Sequence, residues 1–137
     1  MYKINKEFHP IIIINFNSTD NNDNTLEEFK KDYLKLLISA KENSLKLVII
    51  YNNVNVDNID TNRFYKLYLF FQSIRKENCE HVRKICLLNN NTSLNLMIKS
   101  MTPLNKIRDD VPYKVFGKEN DLIKYINNKY NKTIFLS

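Results

Sequence analysis

The stretch that decides the fold is PIIIINF, at residues 10–16. Its four consecutive isoleucines do not alternate with polar residues, so a strand built from them is apolar on both faces. A short β-branched run of this kind is typical of a central strand that other elements cover on both sides. The run therefore predicts the middle of a mostly parallel sheet.

Further apolar and amphipathic segments follow in alternation. LKLVIIY (45–51), VRKICLL (82–88) and YKVF (113–116) predict three more strands. Helical spacing of apolar residues predicts four helices. Thr25 opens the first with a capping box and Asn43 lies near its end, the second runs to about Lys76, the third starts at Thr92 or Ser93, and the last follows Gly117.

The predicted order is β-α-β-α-β-α-β-α. Parallel neighbours need helical crossovers, so this order predicts an α/β fold with a single, mostly parallel sheet of four to five strands covered by helices. A chain of 137 residues suits one domain, spanning residues 1–137. The tail TIFLS (133–137) is either a small extra strand or a packed terminus.

The formal net charge is +6, from 21 basic and 15 acidic residues. Such an excess attracts nucleic acid or anionic lipid. The basic residues are scattered, however, and the many Asn, Lys and Ile beside a single Ala indicate AT-rich codon usage, which gives the same excess with no partner. Nucleic acid is therefore the weakest of the predicted partner classes.

No catalytic or cofactor motif stands out. The only glycine is Gly117, which excludes a Gly-rich phosphate loop. Cys79, His81, Cys86 and the distant His9 do not have the spacing of a zinc site, and Cys86 lies in an apolar run as a small hydrophobe. We predict no enzyme, no metal and no cofactor, and a soluble, cytoplasmic chain with free thiols, since no signal peptide or membrane-spanning run is seen.

The order of elements resembles the STAS domain of anti-sigma-factor antagonists and transporter tails, and especially a divergent STAS-like group related to the CRAL-TRIO lipid-binding fold. The similarity lies in HPIIIINF at the start, in the polar-ended strand LKLVIIYNNV, and in the late helix–Pro–loop–strand–Phe–helix segment at residues 96–126. It covers nearly the whole chain as a pattern. It implies a regulatory or lipid-binding domain rather than an enzyme.

Phospho-regulated STAS domains carry Asp-Ser-Ser/Thr-Gly at a helix start, and the second hydroxyl residue is phosphorylated. The matching residues here are Asp60, Thr61, Asn62 and Arg63. Asp60 fits, Thr61 matches the first hydroxyl, Asn62 stands at the phosphorylated position, and Arg63 replaces the Gly. Thr61 is thus the candidate phosphoacceptor. The triplet Asp60-Thr61-Asn62 also has the composition of a helix cap.

The leading functional prediction is a non-enzymatic, regulatory protein-interaction module that docks a partner through the loop and helix start around residues 52–65. The neighbouring turn at residues 89–93 joins this surface, because sites on parallel sheets gather at the carboxyl ends of strands. The protein partner is not specified, and a homodimer is one alternative. The predicted partner-binding residues are Asn53, Asp57, Asp60, Thr61, Asn62, Arg63, Asn90 and Ser93.

The alternative prediction is a peripheral protein of anionic lipid surfaces, as the CRAL-TRIO side of the resemblance implies. A Met-containing apolar helix with basic flanks suits a membrane surface, although core packing explains the same pattern. The predicted membrane-facing residues are Met97, Met101, Leu104 and Lys106.

Overall fold

The computed structural model describes residues 2–17, 23–55, 61–89 and 111–136. Within these ranges the chain forms one sheet and four helices. The strands are β1 (Tyr2–Asn5), β2 (Ile11–Asn17), β3 (Leu47–Asn55), β4 (Val82–Leu88) and β5 (Tyr113–Phe116). The helices are α1 (Asp23–Glu42), α2 (Thr61–Ser73), α3 (Arg75–His81) and α4 (Glu119–Tyr130).

The five strands lie side by side in chain order, β1-β2-β3-β4-β5. β1 runs antiparallel to β2, and the four strands from β2 to β5 are parallel. The α/β class and the mostly parallel sheet are therefore confirmed. The predicted strands at 82–88 and 113–116 agree with β4 and β5 residue for residue.

The isoleucine run of β2 is buried on both sides, with exposed fractions of 0–2%. Ile12 and Ile14 point to one side of the sheet, called here the first face, where α1, α2 and α3 pack. Ile11 and Ile13 point to the second face, which α4 and the segment after it cover. The unbroken apolar pattern has the expected cause, because a doubly covered strand has no polar face.

Aromatic rings fill the first face. The Phe29 ring of α1 lies 5.3 Å from the Tyr2 ring, 5.4 Å from Phe16 and 6.3 Å from Phe71, mostly edge to face. Phe70 of α2 is buried in the same cluster. These contacts join α1 and α2 to each other through the sheet surface, and each aromatic pair adds about 0.5–1.5 kcal/mol beyond area burial.

The second face is covered mainly by the end of the chain. Leu122 and Ile126 of α4 are fully buried against β4 and β5. Ile134 and Leu136 follow α4 and are buried with Ile11 and Ile13. Residues 131–136 form no strand, so of the two alternatives for TIFLS the described part fits the packed terminus.

The predicted third helix, which starts at Thr92 or Ser93, lies outside the described residues, and two described elements differ from the predicted order. β1 was not predicted, and the second helix ends at Ser73 rather than near Lys76, followed by the separate helix α3. The Phe70 carbonyl accepts both the Ser73 hydroxyl at 2.6 Å and the Ile74 amide at 3.2 Å, and Ile74 then leaves helical geometry with φ −110° and ψ 19°. The charged sequence of α3 shows no apolar stripe, so periodicity alone does not find it.

Helix and strand ends also shift by a few residues. α1 starts at Asp23, two residues before the predicted Thr25, and ends at Glu42, next to the predicted Asn43. α2 starts at Thr61, inside the triplet predicted to open it. β3 extends to Asn55, so Asn52 and Asn53 lie in a strand and not in the predicted loop. The reason is that β2 continues beside β3, pairing Asn15 with Asn52 and Asn17 with Asn55.

A buried polar pair ties α1 to α3. The Tyr33 hydroxyl donates to Asn78 Oδ1 at 2.5 Å, and both side chains are buried. The Tyr51 hydroxyl of β3 is buried beside them and has no hydrogen-bond partner of acceptable geometry among the described residues. Burial raises the pKa of both tyrosines well above the usual value, so both stay neutral.

These two hydroxyls predict opposite effects of the same substitution. Tyr33→Phe leaves the buried Asn78 oxygen without its donor, and we expect a loss of about 1–3 kcal/mol in the free energy of unfolding. Tyr51→Phe removes only an unpaired polar atom, so stability should stay unchanged or rise. Urea denaturation followed by circular dichroism compares the two variants, and equal losses would contradict this interpretation.

The end of α1 forms a Schellman motif. The Leu45 amide bonds to the Ala40 carbonyl at 3.1 Å and the Ser44 amide bonds to the Lys41 carbonyl at 3.2 Å. Ser44 adopts φ 52°, the left-handed region that suits Gly or Asn. Asn131, with φ 54° at the end of α4, has a residue type that tolerates this geometry, whereas Ser44 does not share that advantage.

Ser44→Gly should therefore raise the free energy of unfolding. The relieved strain is about 1–2 kcal/mol, whereas the added freedom of the unfolded chain costs about 0.4–1 kcal/mol, so we expect a net gain of about 0–1.6 kcal/mol. Ser44→Ala is the control, because it keeps the Cβ atom that causes the strain. A gain for Ala equal to that for Gly, measured by urea denaturation, would rule out this explanation.

Candidate functional site

Asparagines stand at the carboxyl ends of the three central strands. Asn15 and Asn17 end β2, Asn52 and Asn53 lie near the end of β3, and Asn89 directly follows β4. Neighbouring parallel strands end at the same edge of a sheet, so the fold brings these amides together there. The carboxyl edge of parallel strands is also where sites of open α/β sheets gather.

Hydrogen bonds fix the buried members of this group. Asn52 Nδ2 donates to Asn15 Oδ1 at 2.7 Å, and Asn52 Oδ1 accepts the Val54 amide at 3.2 Å. The backbone N–H of Asn89 donates to the Phe116 carbonyl at 3.0 Å, and Asn89 is fully buried. These contacts tie β2 to β3 and β4 to β5 at this edge, and we call this row of asparagines the platform.

The predicted partner-binding residues are only partly described. Asn53 is half-buried in β3, Asn62 is exposed and Arg63 half-buried in the first turn of α2. Thr61 is the first residue of that helix, and its side chain lies outside the description. The predicted residues Asp57, Asp60, Asn90 and Ser93, and the membrane-facing set Met97, Met101, Leu104 and Lys106, lie outside the described residues.

α2 carries an exposed apolar face close to its start. Tyr65 and Leu69 are 54% and 48% exposed, and residues four apart lie on the same side of a helix. The Tyr65 and Tyr68 rings stack with centroids 6.5 Å apart. Val54, at the end of the preceding strand β3, is 39% exposed. We call the surface formed by Tyr65, Tyr68 and Leu69 the α2 face. Its large side chains are left uncovered by the described part of the fold.

The cysteines do not form a reactive or metal-binding group. Cys86 is fully buried in β4, and burial raises the pKa of its thiol to about 11, although Lys84, Lys114 and Lys129 lower it. It is therefore a protonated, apolar side chain at neutral pH. Cys79 is half-buried in α3. Among the residues that the structure describes, no three His, Cys, Asp or Glu side chains come together to hold a metal ion.

A shallow polar groove of about 450 Å³ lies between β1 and α1, at the far edge of the sheet. The Tyr2 hydroxyl donates to Asp32 there, and burial together with this carboxylate raises the pKa of Tyr2. Its lining mixes Lys3, Lys6 and Lys35 with Glu28 and Asp32. Charges of both signs sit side by side in this groove, which gives it no preference for an anionic or cationic ligand.

Sequence reasoning missed Asn15 and Asn52 as a bonded pair. The signal was present, since INFN, YNN and LNNN all place asparagine directly after an apolar run.

No helix in the described part of the chain is long and apolar enough to cross a bilayer. No family model, characterised protein or solved structure matches the chain.

The Asn15–Asn52 bond leads to a test of the platform. Asn52→Ala removes a buried donor and acceptor, so Asn15 Oδ1 and the Val54 amide lose their partner, and we expect a loss of about 1–3 kcal/mol in the free energy of unfolding. Asn43→Ala is the matched control, because Asn43 bonds to the Ser39 carbonyl on the exposed end of α1. That variant should change stability by less than about 0.5 kcal/mol in urea denaturation.

Proposed function

We propose that the chain is a non-enzymatic, STAS-like regulatory module that docks a partner protein on the α2 face and the adjoining end of β3. The observation that carries the proposal is the exposure of Tyr65 and Leu69, 54% and 48%, four residues apart on one helix. Tyrosine supplies much of the binding energy in protein interfaces because it buries a large, rigid surface and keeps a polar tip.

Charge indicates the kind of partner. α2 contains Arg63 and Lys66 and no acidic residue, and the chain as a whole has a net charge of +6. A partner with an apolar centre rimmed by carboxylates would therefore be attracted and oriented at this face. The bonded asparagines Asn15 and Asn52 support the proposal by tying β3 to β2 at the edge from which the chain leads to α2.

The regulatory part of the proposal concerns Thr61, the first residue of α2. Backbone N–H groups of a helix's first turn are free to bind an anion, and the helix dipole favours negative charge there. A phosphate on Thr61, with a charge of about −1.5 to −2, would largely cancel the positive charges of Arg63 and Lys66, the only charged residues of α2. It would therefore weaken the attraction of an acidic partner at the neighbouring α2 face.

The α2 face is tested with two matched double variants. Tyr65→Ser/Leu69→Ser removes the proposed contacts, whereas Leu34→Ser/Ile38→Ser changes an exposed pair of the same spacing on α1, where Leu34 and Ile38 are 37% and 55% exposed. Proteins recovered by the wild-type chain in quantitative pull-downs are purified, and their affinity is measured by calorimetry. We expect the α2 variant to weaken binding at least about tenfold and the α1 variant to leave it unchanged.

Three outcomes would contradict the proposal. The first is equal recovery and affinity for both double variants, which would place the interface elsewhere. The second is a partner without the acidic rim, whose binding does not respond to salt. The third is binding to anionic vesicles in a flotation assay with no protein partner recovered, which would favour the peripheral membrane alternative.

A further inference from the structure

Three lysines from different elements surround one tyrosine ring on the second face. The ammonium nitrogens of Lys84, Lys114 and Lys129 lie 5.9, 4.8 and 5.8 Å from the Tyr125 ring centroid. Lys84 belongs to β4, Lys114 to β5 and Lys129 to the last turn of α4. Scattered in the sequence, these charges become a cluster when β5 pairs with β4 and α4 lies across both.

An arginine and a second tyrosine extend this cluster. The Arg83 guanidinium carbon lies 5.8 Å from the Tyr130 ring centroid, and the Tyr125 and Tyr130 rings meet edge to face at 6.5 Å. Arg83, Lys114 and Lys129 are exposed, and both rings are half-buried. We call this surface the basic aromatic patch: Arg83, Lys84, Lys114, Tyr125, Lys129 and Tyr130.

The four cations of the patch are not neutralised by the described part of the protein. None of them forms a salt bridge with a carboxylate in the described ranges. The acidic residues of α4, Glu119 and Asp121, lie in its first turn, whereas Lys129 lies in its last. The three lysines all lower the pKa of the buried Cys86 thiol, as expected of positive charges that lie close together.

Protection of a sheet edge explains only part of this arrangement. A lysine on an edge strand prevents pairing with another chain, and Lys114 on β5 fits that role. Lys84 and Arg83 lie on β4, between β3 and β5, and Lys129 lies on a helix. Four like charges around two rings repel one another, so an anion that bridges them would lower the energy of the surface.

We propose that the basic aromatic patch binds single-stranded nucleic acid without sequence preference. Single strands are bound where cationic side chains follow the phosphates and aromatic rings stack on the bases, and the patch supplies both within one small area. A membrane surface would call for a large exposed apolar side chain among the cations. Tyr125 and Tyr130 are only half-buried rings with polar tips, and no strongly exposed apolar residue belongs to the patch.

The patch is separate from the α2 face. Lys84 and Arg83 lie at the start of β4 and Lys114 near the start of β5, on the side of α4, whereas α2 packs on the first face and follows the carboxyl end of β3. A protein partner on α2 and a nucleic acid on the patch are therefore compatible with each other. Failure of either proposal leaves the other standing.

Fluorescence anisotropy with a labelled oligothymidylate of about 12 nucleotides tests the proposal on the full chain. Affinity should fall as salt rises from about 50 to about 200 mM, with a slope of log K against log salt of about −2 to −3 for three or four phosphate contacts. The triple variant Lys84→Gln/Lys114→Gln/Lys129→Gln should weaken binding about tenfold or more at the lower salt. It should also reduce the magnitude of the slope by about 2, because three phosphate contacts are lost.

The matched control is Lys31→Gln/Lys35→Gln/Lys41→Gln, which removes the same charge from exposed lysines of α1, the helix that packs on the first face. It should keep the affinity within about twofold, and thermal unfolding of both variants shows that each is folded. Equal weakening by the two variants, or no binding by the wild-type chain at the lower salt, would overturn the proposal. So would equal affinity for a duplex of the same length, or binding to phosphatidylserine vesicles without binding to the oligonucleotide.

Discussion

The rest of the structure depends on the burial of four adjacent isoleucines in β2. A strand that is apolar on both faces is stable in water only when both faces are covered, and each buried isoleucine contributes about 2 kcal/mol. Ile12 and Ile14 require α1, α2 and α3, while Ile11 and Ile13 require α4 and residues 131–136. β2 is therefore buried on both faces only when residues 131–136 have packed on it.

The same constraint sets where polar chemistry lies. The buried register of β2 and β3 stops where Asn15 meets Asn52, and their amides bond to each other instead of to water. Beyond that row the chain leads to α2, with its exposed tyrosine and leucine. At the other ends of β4 and β5, the lysines gather around Tyr125. The sheet thus keeps a neutral, amide-rich edge apart from a cationic surface.

Prediction from sequence succeeded where the pattern is local and strong. β4 and β5 have their predicted bounds, and the amphipathic helices α1 and α4 lie where their apolar spacing places them. Prediction failed where a contact between residues far apart in the sequence determines the local structure. α3 has no apolar stripe and is held by Asn78, which bonds to Tyr33 forty-five positions earlier. β1 is a four-residue strand that is stabilised by pairing with β2. β3 continues through its asparagines because the Asn15 side chain on β2 accepts a hydrogen bond from Asn52.

The sequence by itself determined the α/β class, the doubly buried strand and the positions of β4, β5, α1 and α4, because hydrophobic periodicity and β-branched runs act over a few residues. Tertiary structure alone decided which polar side chains meet. Lys84, Lys114 and Lys129 are scattered along the sequence but lie around the Tyr125 ring in the structure. The parallel pairing of β4 with β5 and the packing of α4 across both strands bring together positions up to forty-five residues apart. Long-range juxtaposition of this kind leaves no periodic trace in the sequence.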